Sequence, residues 1–187
     1  MGKLLSGDSP PGDMNRENGP GLLYREVQHF RQVWIWAIVI AIAGLMWYGW
    51  AIQFLLHRPF GTKPMPDGLL VIFWLLFGIG LPAFFYYAGL ITEVRHDGIY
   101  FRYVPIHRSF RKIAFDELKR YEVRTYRPIL EYGGWGIRYG PKGKAYNVSG
   151  NRGLQLELKD GQRLLLGSQQ PEAFLRAIQL GAVSKSV

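Results

Sequence analysis

The stretch "WIWAIVIAIAGLMWYGWAIQFLL", residues 34–56, contains 23 residues and no charged side chain. A second stretch, "LLVIFWLLFGIGLPAFFYYAGLI" at residues 69–91, has the same length and also lacks charge. At about 1.5 Å of rise per residue, a helix of this length reaches about 34 Å, which exceeds the roughly 30 Å hydrocarbon core of a bilayer. The two stretches therefore predict a transmembrane helical hairpin, and the alternative of two buried helices in a soluble core is disfavoured because such helices are usually shorter and carry a polar stripe.

The distribution of cations predicts the orientation of this hairpin. Four of the 23 Lys and Arg residues precede the first stretch, two lie in the loop "HRPFGTKPMPDG" at residues 57–68, and seventeen follow the second stretch. Positive charge resists translocation, so we expect both termini in the cytoplasm and the loop outside. The expected location is the cell membrane, crossed twice.

The two apolar stretches divide the chain into an N-terminal tail, a membrane hairpin and a larger C-terminal domain. Residues 1–20 are rich in Gly, Pro, Asp and Asn, which predicts a disordered tail. Residues 21–91 are assigned to the membrane hairpin, and "LLYREVQHFRQ" at 22–32 is expected to continue as helix into the first span. Residues 92–187 are expected to form a cytoplasmic domain.

Within that domain the apolar pattern changes to alternation, which is typical of strands. The segment "TEVRHDGIYFRYV" predicts a hairpin that turns around His96, Asp97 and Gly98, and "GLQLELKDGQRLLLG" predicts another that turns at Asp160 and Gly161. A helix is expected at about 171–181, where Pro171 occupies the first turn. The predicted fold is α+β: about seven short antiparallel strands in a small sandwich or barrel, closed by one C-terminal helix.

The order of these elements resembles a known arrangement. Two membrane helices followed by "HDGIYFRY", "RKIAFDELKRYEV" and "LQLELKDGQRLLLGSQQPEAFLRAI" are similar to bacterial pleckstrin-homology-like domains that follow membrane hairpins. The segments "YRPI", "YGGWGIRYG", "KAYNVSGNRG" and "GSQQPEAF" resemble a prokaryotic membrane family of unknown function. The resemblance implies a fold and a place in the cell, and it implies no activity.

The stretch "YGGWGIRYGPKGKAYNVSGNRG", residues 132–153, is rich in glycine without matching a nucleotide-binding motif. Arg138 stands where a Walker phosphate loop needs its first glycine, and Tyr139 stands at the third glycine of a dinucleotide fingerprint. The glycines therefore favour turns between strands. The alternative is a binding surface that mixes aromatic, amide and guanidinium groups, with six candidate residues: Trp135, Arg138, Tyr146, Asn147, Asn151 and Arg152.

Catalysis has little support in the sequence. The four histidines lie in separate segments without metal-ligand spacing, and the absence of cysteine excludes thiolate sites. We predict no catalytic residue, metal or cofactor. The expected function is a membrane-anchored adaptor or scaffold that binds a protein partner or an anionic lipid headgroup beside the bilayer, and nucleic acid is disfavoured because the positive-inside bias accounts for the basic excess. The alternative is a subunit of a larger transport or envelope-maintenance complex that uses the hairpin as its contact.

Overall fold

The structure of the protein, a computed structural model, describes residues 21–61 and 65–184. The predicted disordered tail at residues 1–20 lies outside the described residues. Side chains are described up to residue 183.

Two helices are long and apolar enough to cross a membrane. The first consists of α1 (Val33–Trp50) and a π-helical turn (Ala51–Leu55). The second consists of α2 (Asp67–Phe73), a π-helical segment (Trp74–Gly80) and α3 (Leu81–Tyr87). The predicted end of the second helix at residue 91 is wrong, because the chain enters a strand at Gly89 and buries Leu90 completely in the sheet core. We call these two helices the helical hairpin.

The two helices of the hairpin approach each other closely at Gly78. The indole Nε1 of Trp47 donates a hydrogen bond of 3.2 Å to the Gly78 carbonyl oxygen, and the rings of Trp47 and Trp74 meet edge to face with centroids 5.0 Å apart. A Cβ added at Gly78 would lie 3.0 Å from the Trp74 ring and 3.5 Å from Met46 Cβ. The absence of a side chain therefore lets the indoles pack between the helices.

The first sheet contains four antiparallel strands in the order β1-β2-β3-β4. Their bounds are β1 Leu22–His29, β2 Gly89–Arg95, β3 Gly98–Val104 and β4 Arg111–Ala114. The helix predicted over residues 22–32 is wrong, since residues 22–29 pair with β2. Two inward positions of β1 are occupied by the polar Glu26 and Gln28, whose hydrogen-bond partners lie elsewhere in the fold. The sequence of β1 therefore lacks the apolar and polar alternation that is typical of a strand.

The second sheet contains five strands in the order β5-β8-β9-β7-β6. Their bounds are β5 Leu118–Thr125, β6 Gly136–Gly140, β7 Gly143–Asn147, β8 Arg152–Leu158 and β9 Arg163–Gly167. Strands β7 and β9 pair in parallel, so the sheet is mixed and the prediction of purely antiparallel strands is wrong. In the described part of the chain the two sheets stay separate, and the barrel alternative is therefore corrected to two open sheets.

One apolar core joins both sheets to the C-terminal helix. The core includes Ile99 of the first sheet, Leu154 and Leu156 of the second, and Phe174 and Ile178 of α5 (Pro171–Ser184), all fully buried. The α5 helix is three residues longer than predicted. Two short helices connect strands: a 3-10 turn (Phe115–Glu117) follows β4, and α4 (Pro128–Tyr132) precedes β6.

Hydrogen bonds from β1, and from the residues just after it, connect this core to the start of α5 and to the hairpin. The Glu26 carboxylate accepts hydrogen bonds from the Ser168 hydroxyl at 2.6 Å and from the Gln169 backbone N–H at 2.7 Å. Just after β1, Gln32 Nε2 donates a 2.6 Å hydrogen bond to the carbonyl oxygen of Val148, the residue that follows β7 in the second sheet. The first apolar helix therefore leaves the sheets from a fixed position.

Candidate functional site

The turn that leads into β6 positions two of the six predicted site residues. Helix α4 ends at Gly133, which adopts the left-handed conformation with φ +70° and so lets the chain reverse. Trp135 follows, and its indole Nε1 donates a 2.9 Å hydrogen bond to the Gly150 carbonyl oxygen. Arg138 lies three residues further along the chain, in β6, and its Nε donates a 3.1 Å hydrogen bond to the Trp135 carbonyl oxygen. The structure therefore brings Trp135 and Arg138 together.

These two residues lie at a groove of about 590 Å³ between the hairpin and the sheets. The first apolar helix contributes Trp34, Ile38 and Ile42 to one wall, and the second contributes Leu81 and Phe85. The sheet side is formed by β3, by the loop after it and by residues 133–138. The ring centroids of Trp34 and Trp135 lie 5.8 Å apart across the groove. The groove is thus an apolar slot whose opposite sides come from distant parts of the sequence.

Arg138 supplies positive charge to this apolar slot. It is the single charged side chain among the described residues that line the groove, and it is exposed. A Cβ added at Gly136 would lie 3.8 Å from the Arg138 Nε and 3.9 Å from the hydroxyl of Tyr103, a residue that is nearly completely buried. Burial raises the pKa of Tyr103, and the charge of Arg138 opposes that rise. The groove therefore combines an apolar volume with one accessible guanidinium at its sheet side.

Tyr146 and Asn147 are neighbours on β7 and point to opposite faces of the second sheet, as alternation requires. Tyr146 is 1% exposed and packs in the main core, with its ring 4.9 Å from that of Phe101. Asn147 is fully buried: its Nδ2 donates a 3.1 Å hydrogen bond to the Tyr126 hydroxyl, and its Oδ1 accepts one of 2.9 Å from the Gly136 N–H. Asn147 therefore joins three segments of the second sheet.

The Asn147 partner Tyr126 lies in a small second core on the outer face of this sheet, with Tyr132, Ala145 and Leu165. Burial raises the pKa of the Tyr126 hydroxyl to about 12, and the hydrogen bond from Asn147 opposes that rise. The hydroxyl is therefore neutral at physiological pH and holds the amide of Asn147 in place.

The last two predicted residues, Asn151 and Arg152, are exposed and make other contacts. The Asn151 backbone oxygen accepts a 2.8 Å hydrogen bond from the Tyr126 N–H. The Arg152 guanidinium forms an ion pair with Glu172 in the first turn of α5. The six predicted residues thus do not share one surface: Trp135 and Arg138 meet at the groove, Tyr146 and Asn147 are buried, and Arg152 contacts α5.

The hairpin side of the groove was missed by sequence reasoning. Trp34, Ile38 and Phe85 belong to stretches whose composition predicts only a membrane span, and no local pattern distinguishes a groove wall from a lipid-facing surface. Their position depends on β1, which fixes the start of the first helix against the sheets. Within residues 21–61 and 65–184, no group of three His, Asp or Glu side chains is placed to hold a metal ion.

The fold and the groove define a class: an α+β protein in which two helices, long and apolar enough to span a membrane, stand against a pair of β-sheets. Residues 14–185 match the model of DUF6141, a family of unknown function, and the chain belongs to that family. No curated protein matches the chain.

Proposed function

We propose that the protein is a membrane-anchored, non-catalytic binding module that holds an anionic lipid in the groove between the hairpin and the sheets. The observation that carries this proposal is the composition of the groove, where an apolar slot of about 590 Å³ meets the guanidinium of Arg138. An acyl chain needs an apolar slot, and an acidic headgroup needs a cation at one end of it.

The position of the groove supports a lipid rather than a soluble ligand. One wall runs from Trp34 to Ile42 on the first apolar helix, a distance of about 12 Å at the rise of an α-helix. If the hairpin spans the bilayer, this wall starts at the headgroup level and descends into the acyl region. The indole of Trp135, apolar with one N–H donor, suits that boundary.

The sheet side of the groove also carries apolar side chains that face outward. Ile106, Ile129 and Leu130 are 56%, 64% and 75% exposed, and two of them, Ile106 and Ile129, line the groove. An exposed apolar cluster beside two membrane-spanning helices is stabilised when it lies in the bilayer interface. In this arrangement the short helix α4 rests on the membrane, and the groove opens directly to lipid.

The proposal includes the location predicted from the sequence, a cell membrane crossed twice with both termini in the cytoplasm. The charge of the segment after the hairpin supports it, since seventeen cations and nine acidic residues follow residue 91. Such a unit is attracted to an anionic leaflet by about 1 kcal/mol per well-placed cation. A pleckstrin-homology-like character of the sheets, a prokaryotic origin and a protein partner remain predictions.

The experiment is native mass spectrometry of the full chain in neutral detergent, titrated with phosphatidylglycerol or with phosphatidylcholine of the same acyl chains. We expect one lipid to bind per chain, with phosphatidylglycerol preferred about tenfold, and Arg138→Gln to reduce that preference to about one. Ile106→Trp, which places a larger side chain at the groove, should weaken both lipids alike.

The matched control is Arg120→Gln, which removes an exposed cation of β5 outside the groove and should leave the preference unchanged. Equal binding of both lipids to the wild type, or an equal loss in Arg120→Gln and Arg138→Gln, would contradict the proposal. A membrane protein that remains bound through detergent extraction would instead favour the alternative, a subunit of a larger complex that uses the hairpin as its contact.

A further inference from the structure

A second cavity, of about 560 Å³, lies between the two sheets at the other end of β6. Residues Gly136 to Arg138 of β6 line the groove, whereas Tyr139 and Gly140 line this cavity. Apolar side chains of both sheets form its base, and four cations surround it: Arg111, Lys112, Lys144 and Arg163. The described lining contains no acidic side chain. We call this cavity the cationic cleft.

Two of these cations project from the inner faces of the sheets. Arg111 pairs directly with Phe101 across β3 and β4, and paired residues of antiparallel strands share a face, so Arg111 shares the face of a core residue. Lys144 precedes the buried Tyr146 by two positions on β7 and therefore points to the same side. The inner faces of a sheet pair normally carry apolar side chains. Here the exposed Arg111 and the half-buried Lys144 place two cations where the inner faces open to solvent.

The two cations converge on Tyr146. Arg111 Nη1 donates a 3.2 Å hydrogen bond to the Tyr146 hydroxyl, and Lys144 Nζ lies 5.0 Å from the centre of the same ring. Lys144 also lies 4.9 Å from the ring of Tyr139. Among the described residues no ion pair joins Arg111 or Lys144 to a carboxylate, whereas Lys112 is paired with Asp97 at 2.5 Å.

The same two cations also act on His107, which neighbours Tyr146. Its Nδ1 accepts a 3.2 Å hydrogen bond from the Tyr103 backbone N–H, and its ring lies 5.5 Å from that of Tyr146. Burial, and then the charges of Arg111 and Lys144, hold the pKa of His107 below its usual value. The described residues that line the cleft include no acidic side chain that would balance Arg111 and Lys144. An anion bound between these two cations would compensate their like charges.

We propose that the cationic cleft binds a phosphate monoester. Arg111 and Lys144 supply two positive charges, and a phosphate monoester carries about −1.5 to −2 at pH 7. A guanidinium fork and a lysine ammonium are the two side chains that most often contact phosphate oxygens, and the Tyr146 and Tyr139 hydroxyls provide neutral partners. The ester group would lie on the apolar base formed by Phe101, Leu158 and Leu164.

The test uses the full chain in nanodiscs of phosphatidylcholine and measures its unfolding temperature with glycerol 3-phosphate, against sodium chloride of equal ionic strength. We expect glycerol 3-phosphate to raise the unfolding temperature, because a ligand that binds only the folded state stabilises it. Arg111→Gln and Lys144→Met should weaken the apparent Kd at least tenfold, and Lys144→Arg should retain binding. The NMR titration of His107 adds a second readout, because a bound anion should raise its pKa.

The source of the phosphate is resolved by a second arm with phosphatidic acid, a lipid phosphate monoester, included in the nanodiscs. If that lipid competes with glycerol 3-phosphate the ligand is a membrane headgroup, and if it does not the ligand is soluble. Arg138→Gln is the control that separates this site from the groove, and it should leave the effect of glycerol 3-phosphate unchanged. The proposal is overturned if glycerol 3-phosphate acts no differently from chloride, or if its effect persists in Arg111→Gln and Lys144→Met.

Discussion

Replacing Asn147 with alanine tests whether this predicted binding residue instead holds the second sheet together. The substitution removes the hydrogen bonds to the Tyr126 hydroxyl and from the Gly136 N–H, in a position that is fully buried. Each lost bond costs about 0.5 to 1.5 kcal/mol, and a buried group left without a partner costs about 1 to 3 kcal/mol. Gly136 is partly exposed, so water can replace its partner, and we expect a total loss of about 2 to 4 kcal/mol.

Thermal unfolding of the full chain in neutral detergent, followed by near-ultraviolet circular dichroism, measures this loss. At about 2 to 4 °C per kcal/mol for a chain of this size, the unfolding temperature should fall by about 5 to 15 °C. Asn151→Ala is the matched control, because the Asn151 side chain is exposed and its contact to Tyr126 uses the backbone oxygen. A double-mutant cycle with Tyr126→Phe should give a coupling of about 1 kcal/mol. An unfolding temperature within 2 °C of the wild type would refute the structural role.

Three further predictions concern the orientation, the membrane surface and the pH dependence. A reporter fused after the last residue should be cytoplasmic because of the positive-inside distribution, and an external reporter would reverse the orientation. The chain has no cysteine, so Leu130→Cys can be labelled with an environment-sensitive dye, and its emission should shift to the blue in liposomes. The control is Lys159→Cys at an exposed position, where the dye should show no shift. Equal emission from the two variants would place α4 away from the bilayer. His107 has a lowered pKa in the folded state, so the unfolded state binds its proton first and stability should fall as pH drops below about 6.5. The unfolding temperature of His107→Gln should fall less between pH 7.5 and 5.5, and identical slopes would contradict the assignment.

The strands after the hairpin were predictable because their alternation is local. The turn at His96 and Asp97 separates β2 from β3, and the residues around Gly161 separate β8 from β9. In β3 and β8 apolar residues on alternate positions meet the main core, so a short sequence window contains the signal. The parallel pairing of β7 with β9 was not predictable in this way, since it joins strands that are not consecutive.

Strand β1, in contrast, could not be predicted from a local pattern. Glu26 and Gln28 occupy inward positions, where they hydrogen-bond with Ser168, Gln169 and the Gly167 carbonyl oxygen at the other end of the chain. A polar residue with a distant partner has no local signature, whereas Tyr24, Val27 and Phe30 are spaced by three residues and so match a helical period. The groove depends on this strand, which explains why its hairpin wall could not be predicted from sequence.

The candidate residues in the glycine-rich stretch illustrate a third limit. Proximity in sequence placed Tyr146, Asn147 and Arg138 on one hypothetical surface, but alternation along β7 points the first two to opposite faces. The same rule applied to "KAYN" would have placed Lys144 beside Tyr146, inside the sheet pair. The inward lysine was therefore available from the sequence, whereas its partner Arg111 required the pairing of β3 with β4.

Photolabelling in liposomes tests the lipid groove most directly. Two matched probes, phosphatidylglycerol and phosphatidylcholine with a photoactivatable group near the headgroup, are crosslinked to the full chain, and the labelled peptides are identified by mass spectrometry. The account predicts that phosphatidylglycerol labels residues 133–138 more strongly than phosphatidylcholine does, and that Arg138→Gln removes the difference without changing the labelling of the rest of the hairpin. Equal labelling of residues 133–138 by both probes in the wild type would contradict it.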